Sequence, residues 1–249
     1  MRTPQSLAGR IAVLVAALAL LVGVAAGAVL ALRPGATAPV VDPERDQPFV
    51  PMTLQGPVIA RVDGDPITLT EAELRIAGLS SLHGEIEDVM GEDWPDAVMS
   101  SLVEDRLIRT AAEAAGIVVT RGEVADTLGR VRELSGSAQD FDAWLDEQGL
   151  TYPELERRIW MQILNGDVYR HLTADAEVSG AELREYYRKN REAYEGVDGV
   201  PLPFIAVRPS LRTELLEQRR NQLFAEWLAD ARADVDIEIV DEDWWKELT

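Results

Sequence analysis

Side chains able to act as nucleophiles, acid–base catalysts or metal ligands are few in this sequence. Its 249 residues include no cysteine and two histidines, His83 and His171. Without cysteine there is no thiolate, disulfide or zinc–cysteine site, and a Ser–His–carboxylate triad would need one of these histidines. His83 is expected at a helix end, where imidazole complements the helix dipole, and His171 in solvent or at an interface on a long helix. We therefore predict no catalytic residue.

Clustered carboxylates are the remaining candidates for a metal site. They lie at residues 85–88 and 241–243 and could offer oxygen ligands to Ca²⁺. Neither cluster has the alternating spacing of an EF-hand loop, so solvated charge is the preferred interpretation. The sequence has no HExxH motif, phosphate-binding glycine loop or dinucleotide fingerprint. We predict no metal and no cofactor.

The charge balance narrows the classes of partner. The chain has 24 Lys and Arg against 44 Asp and Glu, a formal net charge of −20, and 47% hydrophobic residues. This composition is typical of a globular protein. A strongly acidic chain repels phosphates, so nucleic acid is excluded as a predicted partner.

Ile11–Leu32 is an unbroken apolar stretch, long enough as a helix to cross the ~30 Å core of a bilayer. The alternative is a cleaved signal peptide, with Ala26-Gly27-Ala28 as a possible cleavage site. Since the stretch exceeds the usual signal-peptide core, we predict a retained anchor. Arg2 and Arg10 before it place residues 1–10 in the cytoplasm. The predicted localisation is the bacterial inner membrane, single-pass, with the main domain in the periplasm.

Beyond this stretch the sequence predicts three segments. Residues 33–56 are rich in proline and predict an extended linker. Residues 57–240 carry the periodic patterns of one folded domain, and residues 241–249 form an acidic and aromatic tail. Trp244 and Trp245 in this tail are expected to pack on the domain's own core, with a partner-binding role as the alternative.

The folded segment is predicted to be mainly α-helical. Serine or threonine followed three residues later by glutamate, the capping-box pattern, occurs where several helices should begin. The four boxes are Thr70 with Glu73, Thr120 with Glu123, Thr151 with Glu154, and Ser179 with Glu182. The predicted helices are 70–82, 95–115, 121–134, 138–148, 152–174, 180–193 and 210–233.

Short strands are expected at both ends of the helical segment. Residues 58–62 precede the turn Asp63-Gly64-Asp65-Pro66, after which a second extended piece covers 67–69. Residues 235–240 alternate between apolar and acidic side chains, as a half-buried strand does. Because an isolated strand leaves its backbone groups unpaired, we expect the first and last strands to close the domain as a two-stranded sheet.

The predicted helix 152–174 has apolar side chains on two nearly opposite faces. Such a helix is either buried on both sides or exposes one apolar face for binding. Leu155 and Ile159 lie on the first face. The candidate binding surface consists of the second face and a neighbouring methionine: Trp160, Leu164, Val168, Leu172 and Met161.

Several segments together resemble the SurA/PrsA-like chaperones and foldases. They cover residues 57–240, and it is their order and spacing that is similar. The segments are Val62-Asp63-Gly64-Asp65-Pro66-Ile67-Thr68, Leu102-Val103-Glu104 to Val119-Thr120, Phe141-Asp142-Ala143-Trp144-Leu145, Tyr186-Tyr187 with Asn190 and Tyr194, and Phe224-Ala225-Glu226-Trp227-Leu228. The resemblance implies a helical peptide-binding module.

The chain departs from catalytic members of that family at one place. Those members carry a parvulin-type prolyl isomerase domain after the segment that matches 186–194, whereas here only residues 195–208 intervene. Even a marginal independent domain needs about 40 residues. We therefore expect a chaperone without isomerase chemistry, ATP-independent and anchored to the membrane, that binds unfolded or nascent polypeptides. The alternatives are an adaptor for one dedicated membrane-protein partner and a residual prolyl isomerase.

Overall fold

Two short strands joined by a tight turn begin the regular structure. The computed structural model describes residues 43–83, 91–195 and 200–248. Strand β1 (Val58–Val62) pairs antiparallel with β2 (Asp65–Thr68). The two turn residues, Asp63 and Gly64, both have positive φ, 49° and 83°. This geometry matches the right-handed twist of a hairpin and is favoured by an Asp-Gly pair.

A third strand, β3 (Ile237–Ile239), pairs antiparallel with the other edge of β1 and gives the strand order β2-β1-β3. The predicted pairing of the first and last strands is therefore confirmed. The prediction of only two strands is wrong, because the turn at Asp63 and Gly64 folds residues 65–68 back onto β1.

The rest of the described chain is mainly helical, as predicted. The seven α-helices of the described residues are α1 (Leu69–His83), α2 (Trp94–Ala115), α3 (Arg121–Ser135), α4 (Ala138–Glu147), α5 (Tyr152–Leu172), α6 (Gly180–Lys189) and α7 (Phe204–Asp234). Two short 3₁₀ helices cover Arg191–Tyr194 and Trp244–Glu247.

The capping boxes at α3 and α6 are present as predicted. In both, the hydroxyl of the first residue accepts from the glutamate backbone and the glutamate side chain accepts in return, at Thr120 with Glu123 and at Ser179 with Glu182. At α5, Glu154 Oε2 accepts from the Thr151 backbone N–H at 2.7 Å. Each arrangement satisfies backbone donors that a helix start leaves without a partner.

At α1 the capping box lies two residues earlier than predicted. Thr68 and Glu71 form it: the Thr68 N–H donates to Glu71 Oε2 at 3.0 Å, and the Glu71 N–H donates to Thr68 Oγ1 at 3.3 Å. The predicted cap, Thr70, instead donates its hydroxyl to the Gln55 carbonyl at 3.0 Å. The sequence Thr-Leu-Thr-Glu-Ala-Glu fits both registers. The hairpin selects the earlier one, because β2 ends at Thr68.

Helix α7 begins at Phe204 and so includes Pro209, whereas the sequence predicts its start at 210. The side chains of Phe204, Val207 and Leu211 explain the extension. Val207 and Leu211 are buried, and Phe204 packs against the same cluster as Leu211. Apolar residues at this spacing share one helical face, and their burial compensates for the backbone hydrogen bond that proline cannot donate.

The chain divides into two units. The first unit comprises residues 43–168 and 231–248 among those described, and the second unit comprises residues 169–230. The first unit has an extensive apolar core, whose largest fully buried side chains include Ile59, Ile67, Val98, Phe141, Leu155 and Ile159. The second unit has a small buried cluster of Val178, Leu183 and Leu211, surrounded by partly buried tyrosine, phenylalanine and leucine side chains.

The tail after β3 packs on the first unit. Trp244 is 3% exposed, and its ring lies 5.9 Å from that of Trp94 in an edge-to-face arrangement. Trp245 also meets Trp94 edge-on, at 6.3 Å. Such aromatic pairs stabilise a core beyond their buried area. Packing of both tryptophans on the domain's own core, the preferred prediction, is therefore confirmed.

The predicted inner-membrane localisation needs correction. None of the helices in residues 43–83, 91–195 and 200–248 is long and apolar enough to cross a bilayer. For the part of the chain that the structure describes, the prediction of a single-pass membrane protein is therefore wrong. The predicted span Ile11–Leu32 and residues 1–10 lie outside the described residues.

Candidate functional site

A groove in the first unit is the candidate binding site. Its walls are formed by residues 48–54, by the β2–α1 junction, by the C-terminal half of α2 with the following loop to Val119, and by α5 from Arg157 to Leu164. The cavity volume is about 530 Å³. This falls within the size range of ligand-binding clefts.

Residues 45–54, which we call the arm, include residues 48–54, which form one wall of the groove. The arm lies within the segment predicted to be a linker. Its backbone is held against the start of α3, where Phe49 N–H donates to the Val119 carbonyl and Arg121 N–H to the Gln47 carbonyl, both at 2.9 Å. At its other end Leu54 is 7% exposed. Both ends of the arm are therefore fixed to the first unit.

Apolar side chains are exposed along the mouth of the groove. Val50 is 77% exposed, Met52 37% and Val118 53%, and all three line the cavity. Deeper in the groove the lining includes Trp160, which is partly exposed, and Leu164, which is 4% exposed. Large apolar side chains that gather at one concave surface mark a site for another molecule more strongly than scattered ones do.

The floor of the groove carries a buried carboxylate held by two arginines. Glu71 Oε2 accepts from Arg106 Nη2, and Glu71 Oε1 accepts from Arg157 Nη2, both at 2.6 Å. The Glu71 side chain is 8% exposed and that of Arg106 is 5% exposed. Glu71 thus caps α1 and also links it to α2 and α5.

A second carboxylate extends this network toward the cavity. Asp65 Oδ2 lies 3.0 Å from Arg106 Nε and 3.3 Å from Arg109 Nη1. Arg106 Nη2 also donates to the Pro66 carbonyl at 2.5 Å. We call the five charged side chains of this network the ionic floor: Asp65, Glu71, Arg106, Arg109 and Arg157.

Burial and the neighbouring charges shift the pKa of the Arg157 side chain. Its guanidinium donates to Glu71 and, at 3.2 Å, to the Met52 carbonyl of the arm. Burial lowers the pKa of Arg157 below its ordinary value, and the nearby Arg106 and Arg109 lower it further, whereas Glu71 raises it. An arginine pKa is so high that the side chain stays cationic at neutral pH. Three guanidinium cations therefore meet in the ionic floor.

The residues predicted from the sequence as a binding surface are found in different environments. Trp160 and Leu164 line the groove, and Val168 is fully buried. Met161 and Leu172 are partly exposed and do not line the groove. Helix α5 is thus covered on both sides through most of its length, which was one of the two arrangements that its pattern allowed. Client binding by these side chains stays a prediction.

Sequence reasoning did not identify the ionic floor. Two signals for it were present. The Thr68–Glu71 pair fits the capping-box pattern. Arg106 lies on the same helical face of α2 as Leu102 and Val103. Arginine on the apolar face of a helix needs a carboxylate partner when it is buried. The sequence does not show which carboxylate this is, because the partners lie 35 and 41 residues earlier in the chain.

No histidine is among the described residues that line the groove. No group of three or more His, Asp or Glu in the described residues is arranged to hold a metal ion. Of the two acidic clusters considered in the sequence, the first lies at residues 85–88, outside the described residues. In the second, Asp243 pairs with Lys246 at 2.7 Å. His171 is exposed on α5.

The chain is similar to one family model and to two named relatives. The family model of the SurA-like N-terminal domain matches residues 5–168, more than half of the chain. Two relatives, both called foldase protein PrsA, come from Clostridium perfringens strain ATCC 13124 and strain 13, and each is 23% identical to this chain over 155 residues. The alignment covers 56% of this chain and 44% of each relative, so the chain spans less than half the length of these relatives.

Proposed function

The chain belongs to the family of SurA-like N-terminal domains, and from this premise we propose that it is a chaperone that binds non-native polypeptides in the groove of the first unit. Its relatives are named foldases. We further propose that it works without ATP and without prolyl isomerase chemistry. Binding and release would then depend on the affinity of the groove for exposed apolar side chains and on the folding of the client.

The observation that carries this proposal is the exposure of Val50, Met52 and Val118 at the mouth of one cavity. When a client side chain covers exposed apolar surface, binding is favoured by roughly 25 cal/mol for each Å² removed from water. Non-native chains expose such side chains, and folded proteins bury them. A groove of this kind therefore distinguishes between the two by the apolar surface that they offer.

Two features of the sequence support the absence of nucleotide and isomerase chemistry. No phosphate-binding glycine loop occurs in the 249 residues. Between Tyr194, at the end of the 3₁₀ helix Arg191–Tyr194, and Phe204, at the start of α7, only nine residues intervene. A parvulin domain does not fit there. The match of the family model is likewise to an N-terminal domain, at residues 5–168.

The proposal is tested by the suppression of aggregation. The full chain is mixed in equimolar amount with a chemically unfolded test protein that is diluted into buffer without nucleotide, and aggregation is followed by light scattering. We expect wild type to suppress aggregation. Because Val50 and Val118 are exposed, the double substitution Val50→Asp and Val118→Asp should leave the fold intact and weaken client binding by roughly tenfold or more.

Leu134→Asp is the matched control. Leu134 is 42% exposed on α3 and does not line the groove, so this substitution also replaces an exposed apolar side chain by a carboxylate. It should suppress aggregation as well as wild type does. Equal suppression by the double variant would place client binding elsewhere. No suppression by a folded wild-type sample would contradict the chaperone function and favour a dedicated partner, to be sought by co-purification.

A further inference from the structure

The ionic floor has more positive than negative charge. Three guanidiniums, those of Arg106, Arg109 and Arg157, face two carboxylates, those of Asp65 and Glu71. All five side chains line the same cavity. The floor therefore carries one positive charge in excess, within a chain whose formal net charge is −20.

The excess charge is accessible from the cavity. The Arg109 side chain is 33% exposed and that of Arg157 is 20% exposed, whereas Arg106 is 5% exposed. Arg109 makes one ion pair, to Asp65 at 3.3 Å. A guanidinium has five N–H donors, and one pair to a single oxygen leaves most of them available.

The floor also holds a buried donor without an acceptor. Arg106 Nε lies 3.0 Å from Asp65 Oδ2, yet within the described residues it has no hydrogen-bond partner. The two groups are close enough to attract as charges, but the N–H direction does not make a hydrogen bond. A buried donor in this state costs free energy, which a suitably placed acceptor would recover.

Glu113 is the remaining charged group that lines the cavity. It is exposed on α2 and has no ion-pair partner among the described residues. It lies four residues after Arg109, but the two side chains are not within 4.0 Å. Glu113 therefore makes the electrostatic potential at the mouth of the groove more negative, but it does not form an ion pair with an arginine of the ionic floor.

We propose that the ionic floor binds a carboxylate of the client polypeptide, next to an apolar client side chain that enters the groove between Val118 and Trp160. The carboxylate is either an aspartate or glutamate side chain or a chain terminus. This assignment of a client class rests on the proposed function. Guanidinium groups bind carboxylates through paired N–H donors, and such hydrogen bonds are stronger than neutral ones.

For a carboxylate bound at the ionic floor, the nearby positive charge has a larger effect than the net negative charge of the whole chain. At physiological salt the Debye length is about 8 Å, so exposed acidic groups farther away are largely screened. Charges inside the groove are screened less, because they are partly removed from water. A carboxylate in the cavity is therefore attracted by the floor, whereas elsewhere on this acidic chain it is repelled.

The test uses four apolar hexapeptides with a fluorescent label at the N-terminus. They have glutamate or glutamine at one position and a free or amidated C-terminus, so that one peptide has no carboxylate. Binding to the full chain is measured by fluorescence anisotropy. We expect a peptide with a carboxylate to bind about fivefold more tightly than the neutral peptide. Comparison of the four peptides shows whether the side chain or the terminus is bound.

Substitutions in the chain test whether the ionic floor is responsible. Arg109→Gln should abolish the preference for a carboxylate. Arg61→Gln is the matched control, because Arg61 forms an ion pair with Glu238 at 3.6 Å and does not line the groove; it should keep the preference. Glu113→Gln should increase it, since it removes a negative charge from the mouth.

Three results would overturn the inference: equal binding of all four peptides, a preference that persists in Arg109→Gln, or no binding of any peptide. The aggregation assay separates this failure from a failure of the proposed function. If wild type suppresses aggregation and Val50→Asp with Val118→Asp does not, the groove is a client site whatever the peptides show. In that case equal binding means that the groove recognises apolar side chains alone.

Discussion

The first and second units stabilise their interiors in different ways. In the first unit, an apolar core surrounds a buried ionic network in which Glu71 joins the starts and middles of three helices. In the second unit, the buried cluster consists of the apolar side chains Val178, Leu183 and Leu211, and an ion pair such as Glu182–Arg219 is exposed. A buried ion pair fixes the relative position of its partners, but removing its charges from water costs free energy. A small apolar cluster has no such desolvation cost, but its stabilising free energy is limited by the small apolar area that it buries.

This difference indicates which unit is built for a fixed site. A buried carboxylate with two guanidinium partners tolerates only one relative position of its helices, because displacement would leave charges unpaired. The groove keeps its shape only when these helices hold fixed relative positions, because its walls come from four separate segments. A cluster of three side chains sets fewer constraints, so we expect the second unit to open more readily.

The largest effect is expected from Glu71→Gln. It removes the negative charge that Arg106 and Arg157 share, so that Arg106 keeps Asp65 as its partner and Arg157 loses its ion pair with Glu71. Removal of one partner of a buried pair costs about 3–5 kcal/mol. Urea denaturation should show this loss in the free energy of unfolding.

Glu113→Gln serves as its control, because Glu113 is exposed and the same chemical change there should stay within about 0.5 kcal/mol. If Glu71→Gln cost no more than this control, the ionic network would not contribute to the stability of the first unit. The contrast between the two units would then rest on their apolar cores alone.

A smaller and more local effect is expected from Leu211→Ala in the second unit. Leu211 is fully buried in the small cluster, and a buried Leu→Ala substitution costs about 2–5 kcal/mol. Hydrogen exchange should accelerate at the amides of α6 and of the N-terminal half of α7, while amides of α2 and α3 keep their protection. Ile205→Ala, at a side chain that is 73% exposed, should change neither. Equal acceleration in both units would show that they unfold together.

The smallest effect concerns an exposed charge of the second unit. The Ser179 backbone N–H donates to Glu182 Oε2 at 2.8 Å, and this bond, together with the Ser179 side chain, lowers the pKa of Glu182 below its ordinary value of 4.5. Folding thus favours the ionised form. The ionised Glu182 carboxylate contributes fully to the stability of the fold above about pH 4.5, and this contribution is lost as the pH falls through the lowered pKa.

An NMR titration of the Glu182 carboxyl group checks this prediction. Ser179→Ala removes one of the hydrogen bonds and should move the Glu182 pKa upward, toward 4.5. Glu185 is an internal control in the same titration, because a hydrogen bond from Lys189 lowers its pKa and this bond is unaffected by the substitution. An unchanged Glu182 pKa would mean that the Ser179 side chain does not stabilise the ionised form and that the backbone N–H alone lowers the pKa.

Local patterns predicted most of the secondary structure and the family. The helix boundaries at Thr120 and Ser179 follow from capping boxes that involve residues three apart, and the turn before β2 follows from Asp63 and Gly64. The order of segments that resembles the SurA/PrsA-like family is confirmed by the family model over residues 5–168. These signals depend on neighbouring residues, which a sequence displays directly.

The groove could not be predicted in the same way. Its ion pairs join residues that are 35 and 86 positions apart, Glu71 with Arg106 and with Arg157. The arm wall depends on a pairing of Phe49 with Val119, in a segment whose prolines are typical of a linker. The pattern of α5 identified Trp160 and Leu164 as unusual, but only packing shows that they line a cavity.

The pairing of β3 with β1 imposes an order on the folding of the newly made chain. Asp63 N–H donates to the Asp236 carbonyl at 2.9 Å, across 173 residues. While a ribosome synthesises the chain, β1 and β2 emerge first and can form only their hairpin. The edge of β1 stays open until β3 and Trp244 have followed. For that interval the protein is itself an unfinished polypeptide with an exposed strand edge, the state in which chains most easily pair with one another.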